Sequence, residues 1–147
     1  MRNSKFILTF ISLIVTTSLI LINCEKNIEK KKEVESEQKY FNISPDSAYQ
    51  MLTNPKLSHS IIVLDVRTKR EYSEGYIDSA ININYYSDNF KKDVSGLDKN
   101  KIYILYCKSG GRSALSCEIM SELGFNRIYN IEGGFEAWVK SGLPYKK

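Results

Sequence analysis

The sequence has one histidine, His59, and only three cysteines in 147 residues. A single imidazole cannot build a multi-histidine metal site, and a nucleophile must be activated by other groups. Three cysteines cannot supply a disulfide framework. Neither charge sign dominates: 21 Lys and Arg stand against 17 Asp and Glu, for a net +4, with no long basic stripe. Nucleic acid is therefore not an expected partner. No internal repeat is visible. What is present is an ordinary globular composition, 42% hydrophobic and 26% charged, which excludes a wholly disordered chain and a polytopic membrane protein. The length allows one domain of ordinary size plus appendages.

The first appendage is N-terminal. Arg2 and Lys5 precede an uncharged apolar run from Phe6 to Ile22, and Glu25 opens a charged stretch. This order reads as a secretory signal over residues 1–23. The run is 17 residues long, or roughly 25 Å as a helix, so an uncleaved membrane anchor is the alternative. Leu21-Ile22-Asn23-Cys24 resembles a bacterial lipobox, with Asn23 where a small residue is usual. Cys24 is thus the expected lipidation site, and lipid would hold the chain at a membrane surface. Either reading exports the protein and tethers it on the extracytoplasmic side, in the periplasm or cell envelope. Residues 24–39 are rich in Glu, Lys, Gln, Ser and Asn. They are too polar to fold alone and are read as a flexible tether.

From residue 40 to 147, strand and helix signals alternate. The strand candidates are 40–43, 61–64, 80–83, 102–106 and 127–131. Ile61–Leu64 and Ile102–Tyr106 are continuous apolar runs, as in strands buried on both faces. Ser44-Pro45 reads as an N-cap followed by a first-turn proline, with Asp46 adding negative charge there. Further helices are expected over 69–73, 87–94, 112–123 and 135–140, with Gly124 ending the fourth of these five. The alternation implies an α/β fold with a mostly parallel five-stranded sheet, helices on both faces, and functional loops at the carboxyl ends of the strands.

One such loop carries the chemistry. Cys107-Lys108-Ser109-Gly110-Gly111-Arg112-Ser113 follows a strand and opens a helix. Two glycines permit a tight turn with its amides facing inward, an anion-binding nest backed by the helix N-terminus. A thiol at its base is drawn towards thiolate, with Lys108 and Arg112 as basic neighbours. No metal and no cofactor is called for.

This loop resembles the active loop of the rhodanese (sulfurtransferase) family. Leu64-Asp65-Val66-Arg67 with Glu71-Tyr72, Gly75-Tyr76-Ile77 with Ala80 and Asn82-Ile83, and Gly133-Gly134-Phe135 with Ala137-Trp138 extend the resemblance over the whole domain. The family often has His where Tyr76 stands and Gly where Ser79 stands. The resemblance implies a small rhodanese-like α/β domain whose Cys107 carries a persulfide. A small anionic donor such as thiosulfate would supply the sulfur, and a thiol or cyanide would accept it. Lys108 and Arg112 would attract the donor, and Ser109, Gly110, Gly111 and Ser113 would contribute amides or hydroxyls. Two alternatives remain open. One is a non-enzymatic persulfide carrier or binding module. The other is a cysteine phosphatase or arsenate reductase, whose loop has five residues between Cys and Arg where this chain has four. A monomer is expected.

The other notable residues have structural readings. Asp65, Arg67 and Glu71 are expected to form a charge and hydrogen-bond network at a strand end. Trp138 is expected in the core with Phe135 and Val139. Cys117, on an apolar helix face, reads as a small buried hydrophobe; a resolving partner for Cys107 is the alternative. His59, between two serines, is expected in solvent.

Overall fold

The computed structural model describes residues 40–147. The segments read as a signal and a tether, with the expected lipidation site Cys24, lie outside the described residues. Five strands form one sheet: β1 (Phe41–Ile43), β2 (Ile61–Asp65), β3 (Ile81–Asn82), β4 (Ile102–Tyr106) and β5 (Ile128–Ile131). Their spatial order is β1-β5-β4-β2-β3, and every ladder is parallel. An antiparallel bridge, Tyr76 to Lys146, ties the C-terminal tail back to the domain.

Among the described residues the five α-helices are α1 (Pro45–Thr53), α2 (Lys69–Ser73), α3 (Phe90–Ser95), α4 (Gly111–Glu122) and α5 (Gly134–Lys140). β4 is the central strand, which is why all five of its residues are apolar or aromatic and all are buried. Successive side chains point to opposite faces of a strand, so the sheet carries two cores. Leu64, Tyr103, Leu105 and Ile128 pack with Phe90 and Val94 of α3 and with Cys117 and Met120 of α4. Val63, Ile104, Tyr106 and Ile131 pack with Ala48 of α1 and Trp138 of α5. Helices therefore cover both faces. The sheet's carboxyl edge holds the loop that follows β4.

Local chemistry sets the element ends. Ser44 caps α1 by accepting the Ser47 amide at 3.1 Å, and Pro45 opens the helix. α2 has a full capping box: Thr68 accepts the Glu71 amide while Glu71 accepts the Thr68 amide at 3.0 Å. α4 ends as expected at Gly124, where the Phe125 amide returns to the Met120 carbonyl at 3.1 Å.

Three expectations are corrected. The third of the described helices begins at Phe90, not Ser87, because the Ser87 hydroxyl accepts the Asn89 amide at 3.2 Å and holds a turn. β3 keeps only Ile81 and Asn82 of the predicted 80–83 strand; Ala80 is drawn into a turn with Ile77. Val139 is 39% exposed instead of joining the core. Trp138 meets Tyr49 edge-on at 6.1 Å and donates its indole N–H to the Pro144 carbonyl at 2.9 Å. Ser79, at the position where the family often has Gly, has a positive φ of 63°, a backbone shape costly for a residue with a Cβ.

Candidate active site

Cys107 is the first residue beyond the central strand and is 1% exposed. Its burial follows from its position, since it packs with Leu105 and Val66 at the end of one core. The chain then turns through Lys108, Ser109 and Gly110 into α4. Gly110 makes the turn possible with φ of 97°, and its amide reaches Cys107 Sγ at 3.2 Å. Burial pushes the Cys107 thiol up. Hydrogen bonds from the Ser113 hydroxyl and from the amides of Ser113, Ser109 and Gly110 outweigh it, and the net direction is down. Those hydrogen bonds, which favour the charged form, are the activating device. Of the two basic side chains expected in that role, Arg112 is coupled to the Cys107 charge while donating its hydrogen bonds to Glu71, and Lys108 reaches out to Glu136. The Ser113 hydroxyl gives its one proton to the Gly110 carbonyl at 3.0 Å, shaping the turn, and that proton is what the side chain can turn to the thiolate once it forms.

The loop's amides can face inward only if its carbonyls find donors outside. α5 supplies them. The Phe135 amide donates to Cys107 O at 2.8 Å and the Glu136 amide to Lys108 O at 3.1 Å. The fit requires a glycine at 134. A Cβ there would lie 2.5 Å from Cys107 O and 2.7 Å from Lys108 O, and φ is +59°. The Gly133-Gly134-Phe135 motif is thus the outer wall of the loop.

Arg112 is held from the side. Its guanidinium donates Nη1 to Glu71 Oε2 at 2.9 Å and Nη2 to Glu71 Oε1 at 2.7 Å. Such paired, parallel donation is the strongest form of this contact. The Arg112 hydrogen bonds lower the Glu71 carboxyl to about 2, with burial opposing and Thr68 assisting. The same pairing raises Arg112. The Arg112 guanidinium also sits over the Tyr86 ring, 5.5 Å from its centroid. Lys108 reaches outward, with Nζ 3.5 Å from Glu136 Oε1 and its side chain 64% exposed. Ser109 and Gly111 line the open rim.

The expected Asp65–Arg67–Glu71 network divides in two. Asp65 and Arg67 form a buried bidentate pair, and Arg67 also donates to Gly75 O at 2.6 Å and lies 4.2 Å from the Phe135 ring centroid. That pair braces the sheet edge. Glu71 belongs instead to the loop, through Arg112. Its capping box was readable as Thr68-x-x-Glu71, but its partner 41 positions away was not. Cys117 is fully buried, and burial pushes its thiol up, as for an inert cysteine; Cys107 and Cys117 are both free. His59 is exposed in a short 3-10 turn. A cavity of about 330 Å³, lined by residues such as Tyr49, Val63, Ile77 and Trp138, contains no residue of the loop. Among the described residues, no helix is long and apolar enough to cross a membrane.

Comparison with known proteins agrees with this geometry. Residues 44–141 match the Rhodanese-like domain family. A sulfurtransferase of Allochromatium vinosum is 29% identical over 102 residues, covering 69% of this chain and 91% of that protein. Thiosulfate sulfurtransferase 16 of Arabidopsis thaliana is 36% identical over 97 residues, covering 56% and 78%. Among solved structures, a rhodanese-related protein from Thermoplasma volcanium superposes with a TM-score of 0.62 at 32% identity, covering 73% of this chain and 98% of that one. A rhodanese-like domain protein from Staphylococcus aureus gives 0.61 at 33%, covering 73% and 99%. With its parallel sheet, its cysteine loop and a match across most of its length, this chain belongs to the rhodanese-like domain family.

Proposed function

We propose that the protein transfers sulfane sulfur through a persulfide on Cys107. The Cys107 thiolate attacks the outer sulfur of a donor. With thiosulfate, the S–S bond of the donor breaks, sulfite leaves with the bonding pair, and Cys107 holds an outer sulfur bearing one negative charge. A thiol or cyanide then removes that sulfur and regenerates the thiolate. This is covalent catalysis by an activated nucleophile. The persulfide anion is held by the amides that already surround Sγ, so little reorganisation is needed at the moment of reaction.

The observation that carries this reading is the buried Cys107 thiol at the base of the loop with the Gly110 amide 3.2 Å from Sγ, an arrangement that draws the thiol downward. It has a nucleophile's electrostatics without an acid–base side chain beside it. The names of the relatives support the same chemistry. Incubation with thiosulfate followed by mass spectrometry should add one sulfur to Cys107. Cys107→Ser should lose that adduct and all thiocyanate formation with cyanide, with an unchanged far-UV spectrum. An adduct confined to Cys117, or turnover that survives the substitution, would refute the proposal.

A further inference from the structure

The loop carries two cations, and each is matched to a carboxylate. Arg112 uses both outer nitrogens on both oxygens of Glu71 at 2.7–2.9 Å. Lys108 lies 3.5 Å from Glu136. The four side chains sum to zero charge. The Lys108 pair is exposed and loose, and such pairs interact weakly. The Arg112 pair is different: its side chains are only 16% and 26% exposed, and Thr68 fixes the carboxylate from behind through its amide and its hydroxyl at 2.7 Å. Glu71 is therefore a built-in counter-charge beside the loop, at the point where a bare arginine would draw in anions.

A second feature stands beside Arg112. The Tyr86 ring is 65% exposed. Large aromatic side chains left in solvent contribute little to a core. This one is nevertheless held: its amide donates to Asn84 Oδ1 at 3.1 Å, its ring meets Tyr85 edge-on at 5.5 Å, and Tyr85 packs on Phe90 at 5.6 Å. With the Arg112 guanidinium over it, Tyr86 presents a positioned apolar surface beside the loop.

We infer that the loop selects organic sulfane donors of low charge over the thiosulfate dianion, with Glu71 as the specificity-determining residue and Tyr86 as the seat for the donor's organic group. This rests on the sulfur-transfer reading and narrows its substrate class. Thiosulfonates make the comparison clean. In a thiosulfonate the S–S bond breaks as in thiosulfate: Cys107 gains the outer sulfur, a sulfinate leaves with the bonding pair, and total charge is conserved. Methanethiosulfonate carries one negative charge and no ring. Benzenethiosulfonate carries one negative charge and a ring.

The test measures kcat/KM for thiosulfate, methanethiosulfonate and benzenethiosulfonate with cyanide as acceptor, using the full-length protein in detergent. Each variant's value is divided by the native value, which cancels the donors' intrinsic reactivities. Glu71→Gln should raise kcat/KM for thiosulfate about tenfold, and for the two monoanions only about threefold, since half the charge is being steered. Tyr86→Ala should lower benzenethiosulfonate turnover about three- to tenfold and leave methanethiosulfonate within about twofold. Native turnover of thiosulfate should change little with ionic strength, whereas Glu71→Gln turnover should fall as salt rises. Should Glu71→Gln fail to fold, the native salt dependence and the Tyr86→Ala pair still decide the matter. Native thiosulfate turnover that falls steeply with salt, or equal effects of each substitution on all three donors, would overturn the inference while leaving sulfur transfer intact. Failure of all three donors to form a Cys107 persulfide would instead overturn the reading beneath it.

Discussion

Replacing Gly134 by alanine tests whether α5 aims the amides of the Cys107 loop. The added Cβ would stand 2.5 Å from Cys107 O, 2.7 Å from Lys108 O and 2.8 Å from Lys108 C, all backbone atoms that cannot rotate away. The left-handed φ of +59° adds strain for any residue with a Cβ, about 1–2 kcal/mol. Forcing one carbon into packed surroundings costs about 1–3 kcal/mol more. The sum is about 2–5 kcal/mol, within the ~5–15 kcal/mol stability of an ordinary domain. Gly142 provides the control, for its φ is +70° yet a Cβ there meets nothing within 4 Å. Gly142→Ala should therefore cost only the strain of about 1–2 kcal/mol. Urea denaturation of both variants gives the difference, expected at about 1–3 kcal/mol. The local consequence is equally specific. Relief of the clash moves α5 off the loop, weakens the Phe135 and Glu136 amide bonds to Cys107 O and Lys108 O, and lets the carbonyls turn towards Sγ. The pH midpoint of Cys107 alkylation by iodoacetamide should then rise in Gly134→Ala and stay put in Gly142→Ala. Equal destabilisation of the two variants with an unshifted alkylation midpoint would refute the reasoning.

Three further outcomes follow from the same geometry. Ser113→Ala removes a hydrogen bond to the thiolate, so the alkylation midpoint should move to higher pH and the rate at neutral pH should fall; an unmoved midpoint would assign the shift to the amides alone. The Glu71 carboxyl is lowered to about 2 from an ordinary 4.5, and its unfolded form titrates near the ordinary value. The stability it contributes is therefore complete above about pH 5 and is lost as pH falls towards 2. Glu71→Gln should flatten the acid limb of a stability–pH curve over that window, and an unchanged limb would contradict the Arg112 pairing. Ser79→Gly relieves the positive φ of 63° at some cost in unfolded-chain entropy, and should stabilise the domain by about 0.5–1 kcal/mol in the same urea assay.

Much of this molecule was written in local signals. A continuous apolar run has one stable place in an α/β domain, the middle of a sheet, and Ile102–Tyr106 occupies it with every residue buried. Ser44-Pro45 opens a helix because a hydroxyl beside a fixed φ satisfies a free amide within three residues. The Cys107 loop could be read because its parts are consecutive: strand end, thiol, two glycines, helix start. Where local signals competed, boundaries slipped, as at Ser87, whose hydroxyl holds a turn where helix periodicity alone would have begun α3.

The pairings made across the fold were not legible, because they depend on which chain crossings the parallel sheet imposes. Glu71 and Arg112 are 41 residues apart and meet only because α2 and the β4–α4 loop share the carboxyl edge of neighbouring strands β2 and β4. Lys108 was readable as a cation but not as one directed to Glu136 on α5. Val139 lies beside Trp138 in sequence yet points to solvent, because a short helix buries one stripe and Tyr49, from another helix, is what Trp138 meets. The nucleophile and its nest are thus properties of a contiguous segment, in which each amide's direction follows from the turn. The charge at the loop's mouth, and the carbonyl clamp that keeps its amides turned inward, exist only once α2 and α5 have closed around it.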